Sequence, residues 1–183
     1  MSNYTMSPVV NGEKKQMIVK VGDTSPIGLV ADYDGSVVPD GWEEVANGMI
    51  HATNNADYTI QADDTYERFP TKTSIVKNGD FTLDTTTGII TATKSGTLEI
   101  SGNINFNSIS ASGTKWVNLY VGGANKIVEN NYGVQGQRLT LTIAPMLIEV
   151  TANTNIYMQV YGKAGDVIRS TNGVYSYITC KYV

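Results

Sequence analysis

Hydrophobic and polar residues alternate along much of the second half of the chain. Between residues 97 and 106 the odd-numbered positions are polar: Thr97, Glu99, Ser101, Asn103 and Asn105. The even-numbered positions are hydrophobic apart from one glycine: Leu98, Ile100, Gly102, Ile104 and Phe106. A period of two is typical of an antiparallel strand with one buried face. We therefore predict such a strand here, with Gly102 at the one inward position that lacks a side chain.

The same alternation returns in four later segments, which are separated by Gly, Asn or Pro. Their inward residues are Val117, Leu119 and Val121, then Leu139, Leu141 and Ile143, then Ile156, Met158 and Val160, then Ser176, Ile178 and Cys180. This spacing is typical of sandwiches and jelly rolls. The chain has 21 Thr and 16 Asn but only 7 Leu, a balance that favours sheets and turns over helices. We predict an all-β protein with almost no helix.

Three regions of the chain differ in their pattern of hydrophobic and polar residues. Residues 1–48 combine a strand-like run at 16–21 with strong turn signals at 34–35 and 39–41. Residues 49–70 are polar, follow no sustained period, and are predicted to be a linker or long loop. Residues 71–183 are predicted to form the sandwich.

Large aromatic residues occupy outward positions in the later strands, where charged residues would be expected on a solvated sheet. They are Trp116, Tyr120, Tyr157, Tyr161, Tyr175 and Tyr177. Exposed apolar patches mark interfaces, and Tyr and Trp are enriched there. We predict that another subunit buries these six residues. The alternative is that the tyrosines cap the sandwich ends or stack singly in water.

Charge and composition exclude several classes of protein. The net charge is -4, from 17 acidic and 13 basic residues, without the basic patch that nucleic-acid binding needs. No segment approaches the ~18 consecutive apolar residues of a membrane span, and the first residues lack the features of a signal peptide. We expect a protein made in the cytoplasm that stays soluble. Cys180 is the one cysteine, so we expect neither an internal disulfide nor a zinc cluster.

Catalytic and cofactor signals are weak. His51 is the one histidine and lies in a polar stretch, where a solvated loop residue is the simpler interpretation. Residues 133–136 lack the lysine and spacing of a phosphate-binding loop, and residues 32–35 lack the further ligands of a calcium loop. The adjacent carboxylates at 43–44 and 63–64 would face opposite sides of a strand. We predict no enzyme activity, no cofactor and no metal.

The second half of the chain resembles the C1q/tumour-necrosis-factor-like domain. The similarity runs over roughly residues 71–183 and is carried by four segments, at 78–102, 117–123, 147–160 and 175–183. An aromatic residue, Phe81, precedes a Thr-Gly turn at 87–88. A later strand ends in two glycines at 122–123. The resemblance implies a ten-stranded jelly roll that trimerises about a threefold axis through aromatic residues on one sheet.

The first region resembles a segment of bacteriophage tail-collar and fibre proteins. In this chain the pattern consists of a Pro-Ile-Gly segment and a later Pro-x-Gly-Trp segment, with Pro26, Gly28, Pro39, Gly41 and Trp42 as its marker residues. The resemblance implies a virion protein whose N-terminal region docks onto the particle, through these five residues, while the jelly roll projects outward.

Together these patterns predict a structural protein of a phage virion. We expect a homotrimeric fibre or appendage that contacts other virion proteins through residues 1–48. The jelly roll is expected to contact the host cell surface, where the ligand would be a cell-wall polysaccharide. The alternative is a purely architectural head, neck or baseplate protein without a ligand. A bacterial surface or spore-layer protein and an enzyme are the remaining hypotheses.

Overall fold

The computed structural model describes residues 48–170 and 174–183 in full and, before residue 48, the backbone of the strand residues alone. The chain divides into two units, Met1–Val45 and Ala46–Val183. The described residues form strands, turns and connecting segments, and none of them is helical. The all-β prediction is confirmed.

The N-terminal unit contains five described strands. They are β1 (Val9–Val10), β2 (Glu13–Lys14), β3 (Gln16–Lys20), β4 (Val30–Tyr33) and β5 (Trp42–Glu44). β1 pairs with β2, and β3 lies between β4 and β5, all antiparallel. The strand predicted at 16–21 is therefore present as β3, whereas the turn signals at 34–35 and 39–41 lie outside the described residues.

The second unit contains ten described strands of four or more residues. They are β6 (Gly48–Thr53), β9 (Thr73–Gly79), β10 (Phe81–Asp84), β11 (Ile89–Ala92), β12 (Gly96–Ser108), β13 (Gly113–Val121), β14 (Ala124–Gly133), β15 (Leu139–Val150), β16 (Thr154–Tyr161) and β18 (Tyr177–Tyr182). Three shorter strands join them: β7 (Tyr58–Thr59), β8 (Tyr66–Arg68) and β17 (Val167–Ile168).

These strands form two antiparallel sheets. The six-stranded sheet runs in the order β10-β11-β16-β13-β14, with β8 paired to the end of β16. The seven-stranded sheet runs in the order β7-β17-β12-β18-β6-β9, with β15 paired to the other edge of β12. Their inner faces enclose one core, which the inward residues predicted from the alternation help to fill.

The predicted linker at 49–70 is wrong, because these residues belong to the sandwich. β6 lies between β18 and β9, and β7 and β8 add short strands to the two sheets. Ile60 and Phe69 are fully buried in the core. The segment shows no sustained period because its strands are short and are separated by turns. The partners of β6 on β18 lie more than 120 residues away, as the hydrogen bond between the His51 and Thr179 side chains illustrates.

Gly102 lies where the two sheets approach each other closely. A Cβ atom built there would lie 3.0 Å from Met158 Sδ of the opposite sheet and 3.1 Å from the Tyr177 carbonyl oxygen. The predicted inward gap in the strand is thus filled by Met158. We expect Gly102→Val to lower the free energy of unfolding by about 1–3 kcal/mol through overpacking. Urea titration measures this, and an unchanged midpoint would contradict the close approach.

Candidate functional site: two outer faces of the sandwich

The residues predicted to attach the protein to a virion lie mostly outside the described part of the chain. This holds for Pro26, Gly28, Pro39 and Gly41. Trp42 is the first residue of β5, where its backbone pairs with Lys20 of β3. The attachment role of these residues remains a prediction.

Four of the six predicted interface residues lie together on the outer face of the six-stranded sheet. Trp116 and Tyr120 belong to β13, and Tyr157 and Tyr161 belong to β16. The strand register places Trp116 opposite Tyr161 and Tyr120 opposite Tyr157. All four are half-buried, while the residues that alternate with them face the core. We call this surface the aromatic face.

The rings of the aromatic face form two groups. Tyr120 and Tyr157 stack with parallel planes and centroids 5.1 Å apart. Trp116 meets Tyr161 edge-on at 6.4 Å. Offset stacked and edge-to-face geometries are the favourable arrangements of aromatic pairs. The two groups are four residues apart along each strand, a distance of about 13 Å at the usual rise per residue.

β8 adds a tyrosine and an arginine to the aromatic face, neither of which was predicted from the sequence. The Tyr66 ring lies 5.1 Å from that of Tyr161, and the side chain is 48% exposed. The Arg68 guanidinium carbon lies 4.6 Å from the centroid of Tyr157, a cation–π contact. β8 is only three residues long, so it leaves no period in the sequence that would identify it.

Two amide side chains separate the aromatic groups. Asn118 of β13 lies opposite Gln159 of β16. Although it occupies an outward position, Asn118 is only 4% exposed. Its Oδ1 atom is buried without a hydrogen-bond partner. Such orphan acceptors are rare in folded proteins and each needs an explanation.

A small polar network borders the aromatic face at the Tyr161 end. The Tyr161 hydroxyl donates a 2.8 Å hydrogen bond to Asp64 Oδ1, and Lys163 forms an exposed ion pair with Asp64. The hydrogen bond from Lys163, and then that from Tyr161, hold the pKa of Asp64 below its usual range. Donation to Asp64 raises the pKa of Tyr161. This network fixes the position of the Tyr161 ring.

The remaining two predicted interface residues lie on the other sheet, so a single face cannot bury all six. Tyr177 begins β18 and its ring lies 4.7 Å from that of His51 on β6. Tyr175 precedes the strand and lies under the Arg169 guanidinium at 3.8 Å. The sequence prediction of one aromatic sheet is therefore wrong for these two residues. Alternation gives the side of a strand but not the sheet to which the strand belongs.

The outer face of the seven-stranded sheet carries small polar side chains, several of which bond to one another, together with the charged residues Glu99, Glu149 and Lys181. His51 Nδ1 lies 2.8 Å from Thr179 Oγ1, so the histidine is a strand residue rather than the solvated loop residue that the sequence suggests. Two further bonds cross from β12 to β15, between Asn103 and Thr142 at 2.9 Å and between Asn105 and Thr140 at 2.8 Å. We call this surface the polar face.

A buried ion pair organises the loops at one end of the sandwich. Lys115 Nζ lies 2.7 Å from Asp166 Oδ2, and both side chains are 0% exposed. Asp166 also accepts hydrogen bonds from the backbone N–H groups of Ser110 and Lys163. Gly133 leaves room for the lysine stem, since a Cβ there would lie 3.1 Å from Lys115 Cγ. The ion pair joins β13 to the loop after β16, and the Ser110 hydrogen bond joins that loop to the one before β13.

The described residues contain no group of three or more His, Cys, Asp or Glu residues that could hold a metal ion. Cys180 is free and fully buried, and burial raises the pKa of its thiol. Among the described residues no helix is long and apolar enough to cross a membrane. The chemistry that the described aromatic face offers is therefore ring stacking, amide hydrogen bonding and one guanidinium.

Solved structures show what this architecture resembles. No protein-family model and no curated protein matches the chain. The Eiger TNF from S. frugiperda matches with a TM-score of 0.56 and 13% identity, over 76% of this chain and 94% of that one. Murine APRIL matches with a TM-score of 0.56 and 9% identity, over 74% and 98%. The globular domain of zebrafish complement 1qA matches with a TM-score of 0.53 and 8% identity, over 75% and 97%. The chain has the C1q/TNF-like jelly-roll fold.

Proposed function

We propose that this chain is a homotrimeric structural protein of a bacteriophage virion, an appendage whose jelly roll contacts the host cell surface. The observation that carries self-association is the polar face, where Thr179, Asn103 and Asn105 have hydrogen-bond partners within the chain. The C1q/TNF-like fold supports the trimer, and the resemblance of residues 26–42 to tail-collar and fibre proteins supports the virion.

Threefold symmetry restricts which surfaces meet. In a closed ring each subunit presents two different patches, one to each neighbour. The outer faces of a sandwich point in opposite directions, so stacking through both of them builds an open filament rather than a ring. A trimer therefore uses one outer face together with an edge of the sandwich. The other face stays in solvent.

The polar face is the better candidate for burial between subunits. Burying a polar group is costly when its hydrogen bonds are lost, and inexpensive when they are kept. Here the hydroxyl of Thr179 and the amide of Asn103 keep partners within the chain. Leu147, on the edge strand β15, is 66% exposed and offers apolar area to a neighbour. We therefore assign Tyr177 and its surroundings to the trimer interface, and not the four residues of the aromatic face that were also predicted there from the sequence.

The mass in solution tests the trimer. We expect light scattering to give about three times the chain mass of 19.8 kDa. Tyr177→Arg should reduce the mass to that of one chain, because it places an unpaired charge in the interface. Tyr157→Ala, on the aromatic face, is the matched control and should leave the trimer intact. Near-ultraviolet circular dichroism of both variants verifies folding. A monomeric native chain would contradict the trimer.

Host contact is tested separately on whole bacterial cells. The labelled full chain should bind the surface of a subset of strains in a panel, in line with receptor specificity. A trimer that enters virions but binds no strain would instead support the purely architectural role. No observation on the described residues favours that second function over the first.

A further inference from the structure

We propose that His51 makes the trimer sensitive to pH, so that the subunits separate when its imidazole ring is protonated. This inference rests on the proposed function, because it concerns the trimer interface that we assign to the polar face. It adds a regulatory property to that interface and names the side chain responsible for it.

His51 lies beside Tyr177 on the polar face. The centroids of the two rings are 4.7 Å apart, and the ring planes are inclined at 34°. His51 is half-buried, whereas its neighbours along β6, Ile50 and Ala52, are 0% exposed and face the core. The imidazole ring therefore points to the outside of the sandwich, and a subunit that covers Tyr177 also covers His51.

The residue types of the chain make His51 the side chain to titrate in mild acid. Histidine is the residue type whose charge ordinarily changes between about pH 5 and pH 8, and the chain contains one. Asp and Glu side chains ordinarily titrate near pH 4. Cys180 is fully buried, which raises the pKa of its thiol and keeps it protonated over this interval.

The hydrogen bond of His51 is compatible with an uncharged ring. Its Nδ1 atom lies 2.8 Å from Thr179 Oγ1, a hydroxyl oxygen that can donate or accept. A neutral imidazole can therefore form this bond in either tautomer, whereas an imidazolium can only donate. In the strand register His51 lies opposite Thr179 on β18 and opposite Val76 on β9. Neither cross-strand neighbour is a carboxylate that would stabilise a positive charge.

The strands packed against β6 each carry one charged residue. They are β18 with Lys181, β9 with Lys77 and β10 with Asp84. Lys181 lies on the polar face, and its partner across the sheet on β12 is Glu99. Lys77 pairs with a core position of β6, and the Asp84 carboxylate accepts hydrogen bonds within its own turn. The charged residue nearest to the ring along β18 is therefore a cation.

The segments at the ends of β6 add two carboxylates and a further cation. Asp57 follows β6, and its carboxylate accepts a hydrogen bond from the Ser170 backbone N–H at 3.0 Å. Asp80 follows Gly79, which pairs with the first residue of β6. The Arg169 guanidinium lies over the ring of Tyr175, two residues before Tyr177. Lys181 and Arg169 thus approach Tyr177 from both sides, and a protonated His51 adds a third positive charge.

A charge that becomes buried in an interface without a counter-ion is costly. A proton therefore binds the separate chain more tightly than the trimer. By linkage, a fall in pH then shifts the equilibrium towards separate chains, and a rise in pH restores the trimer. Each trimer contains three copies of His51, so the effect of one ring is repeated three times.

The test measures the mass of the full chain by light scattering over a range of concentrations, at about pH 8 and at about pH 5.5. We expect a trimer at pH 8. The chain concentration at which half of the subunits are assembled should rise at least about tenfold at pH 5.5, because three rings become charged in each trimer.

Two substitutions isolate the histidine. His51→Asn keeps an uncharged side chain that can bond to Thr179, and it should be equally trimeric at both pH values. His51→Lys carries its charge at both pH values and should assemble poorly at both. His51→Gln is a second uncharged variant, and near-ultraviolet circular dichroism verifies that each variant is folded.

The outcomes separate the pH response from the trimer itself. A native chain that is equally trimeric at both pH values would overturn the role of His51 and leave the trimer standing. The same pH effect in folded His51→Asn and His51→Gln would also overturn it, since another group would then be responsible. A native chain that is monomeric at pH 8 would overturn the trimer and the pH response together.

Discussion

Asp166→Asn should lower the free energy of unfolding by about 3–5 kcal/mol, because it leaves the Lys115 charge buried without a counter-ion. The two side chains are 2.7 Å apart and neither is exposed. An asparagine has nearly the shape of the aspartate but carries no charge. The loss of stability therefore measures the cost of the unpaired lysine charge rather than the cost of a cavity.

The surroundings of the pair explain why the cost cannot be relieved by a small movement. Lys115 Nζ has one further acceptor in the described structure, the Ala111 carbonyl oxygen at 3.1 Å. The carboxylate holds the Ser110 and Lys163 backbone N–H groups at 2.8 and 2.7 Å. Exposing the lysine would break up the loops that these bonds hold, so the variant loses stability whichever way it relaxes.

Urea unfolding at a fixed protein concentration measures the effect, since assembly makes stability depend on concentration. Lys163→Ala is the matched control, because it breaks the exposed ion pair with Asp64. The Lys163 side chain is 31% exposed and the Asp64 side chain is 51% exposed. Exposed pairs contribute about 0–1 kcal/mol. Equal losses in the two variants would contradict the distinction between the buried pair and the exposed pair.

The pH dependence of this difference follows from the pKa of Asp166. Burial acts to raise that pKa, but the hydrogen bonds from Lys115, Lys163 and Ser110 outweigh it and hold the pKa below its ordinary value. A lowered pKa stabilises the fold above the unfolded value of about 3.9, and the contribution is lost as the pH falls through the folded value. The difference in the free energy of unfolding between the native chain and Asp166→Asn should have its full value at pH 7 and decrease below about pH 4. A difference that stays constant down to about pH 2 would contradict a lowered pKa for Asp166.

Phe69→Ala should lower the free energy of unfolding by about 3–5 kcal/mol through the cavity it leaves. Phe69 is fully buried in the core shared by the two sheets, and its backbone N–H donates to the Met158 carbonyl oxygen at 3.0 Å. A linker residue would tolerate the change, whereas a core residue of the sandwich does not. Thermal and urea unfolding both report the loss.

Lys72→Ala is the control for this change, since Lys72 lies three residues further on and is exposed. Surface substitutions of this kind alter stability by about 0.5 kcal/mol or less. A native-like midpoint for Phe69→Ala would show that residues 49–70 do not contribute to the core.

The strands of the jelly roll were predictable where they are long. β12 has 13 residues, and its alternating burial follows the polar and hydrophobic pattern position by position. The inward residues of β13, β16 and β18 follow in the same way. β8 has three residues and β7 two, which is too short for a period to show, and these strands were missed.

The candidate site was predictable as residue types but not as a surface. The outward aromatic residues are visible in the sequence, yet strand pairing decides that Tyr157 faces Tyr120 while Tyr177 faces His51 on the other sheet. Arg68 reaches Tyr157 across 89 positions of sequence, from 68 to 157. No local pattern encodes a contact over such a separation.

A period of two is a local property, so the order of residues was sufficient to establish the all-β class, the position of the long strands and the side of each strand that faces the core. Which strands share a sheet follows only from the folded chain. The partition of the six aromatic residues, the burial of Asn118 and the pairing of Lys115 with Asp166 depend on that sharing. These features arise from contacts between distant segments, whose formation depends on how the whole chain packs.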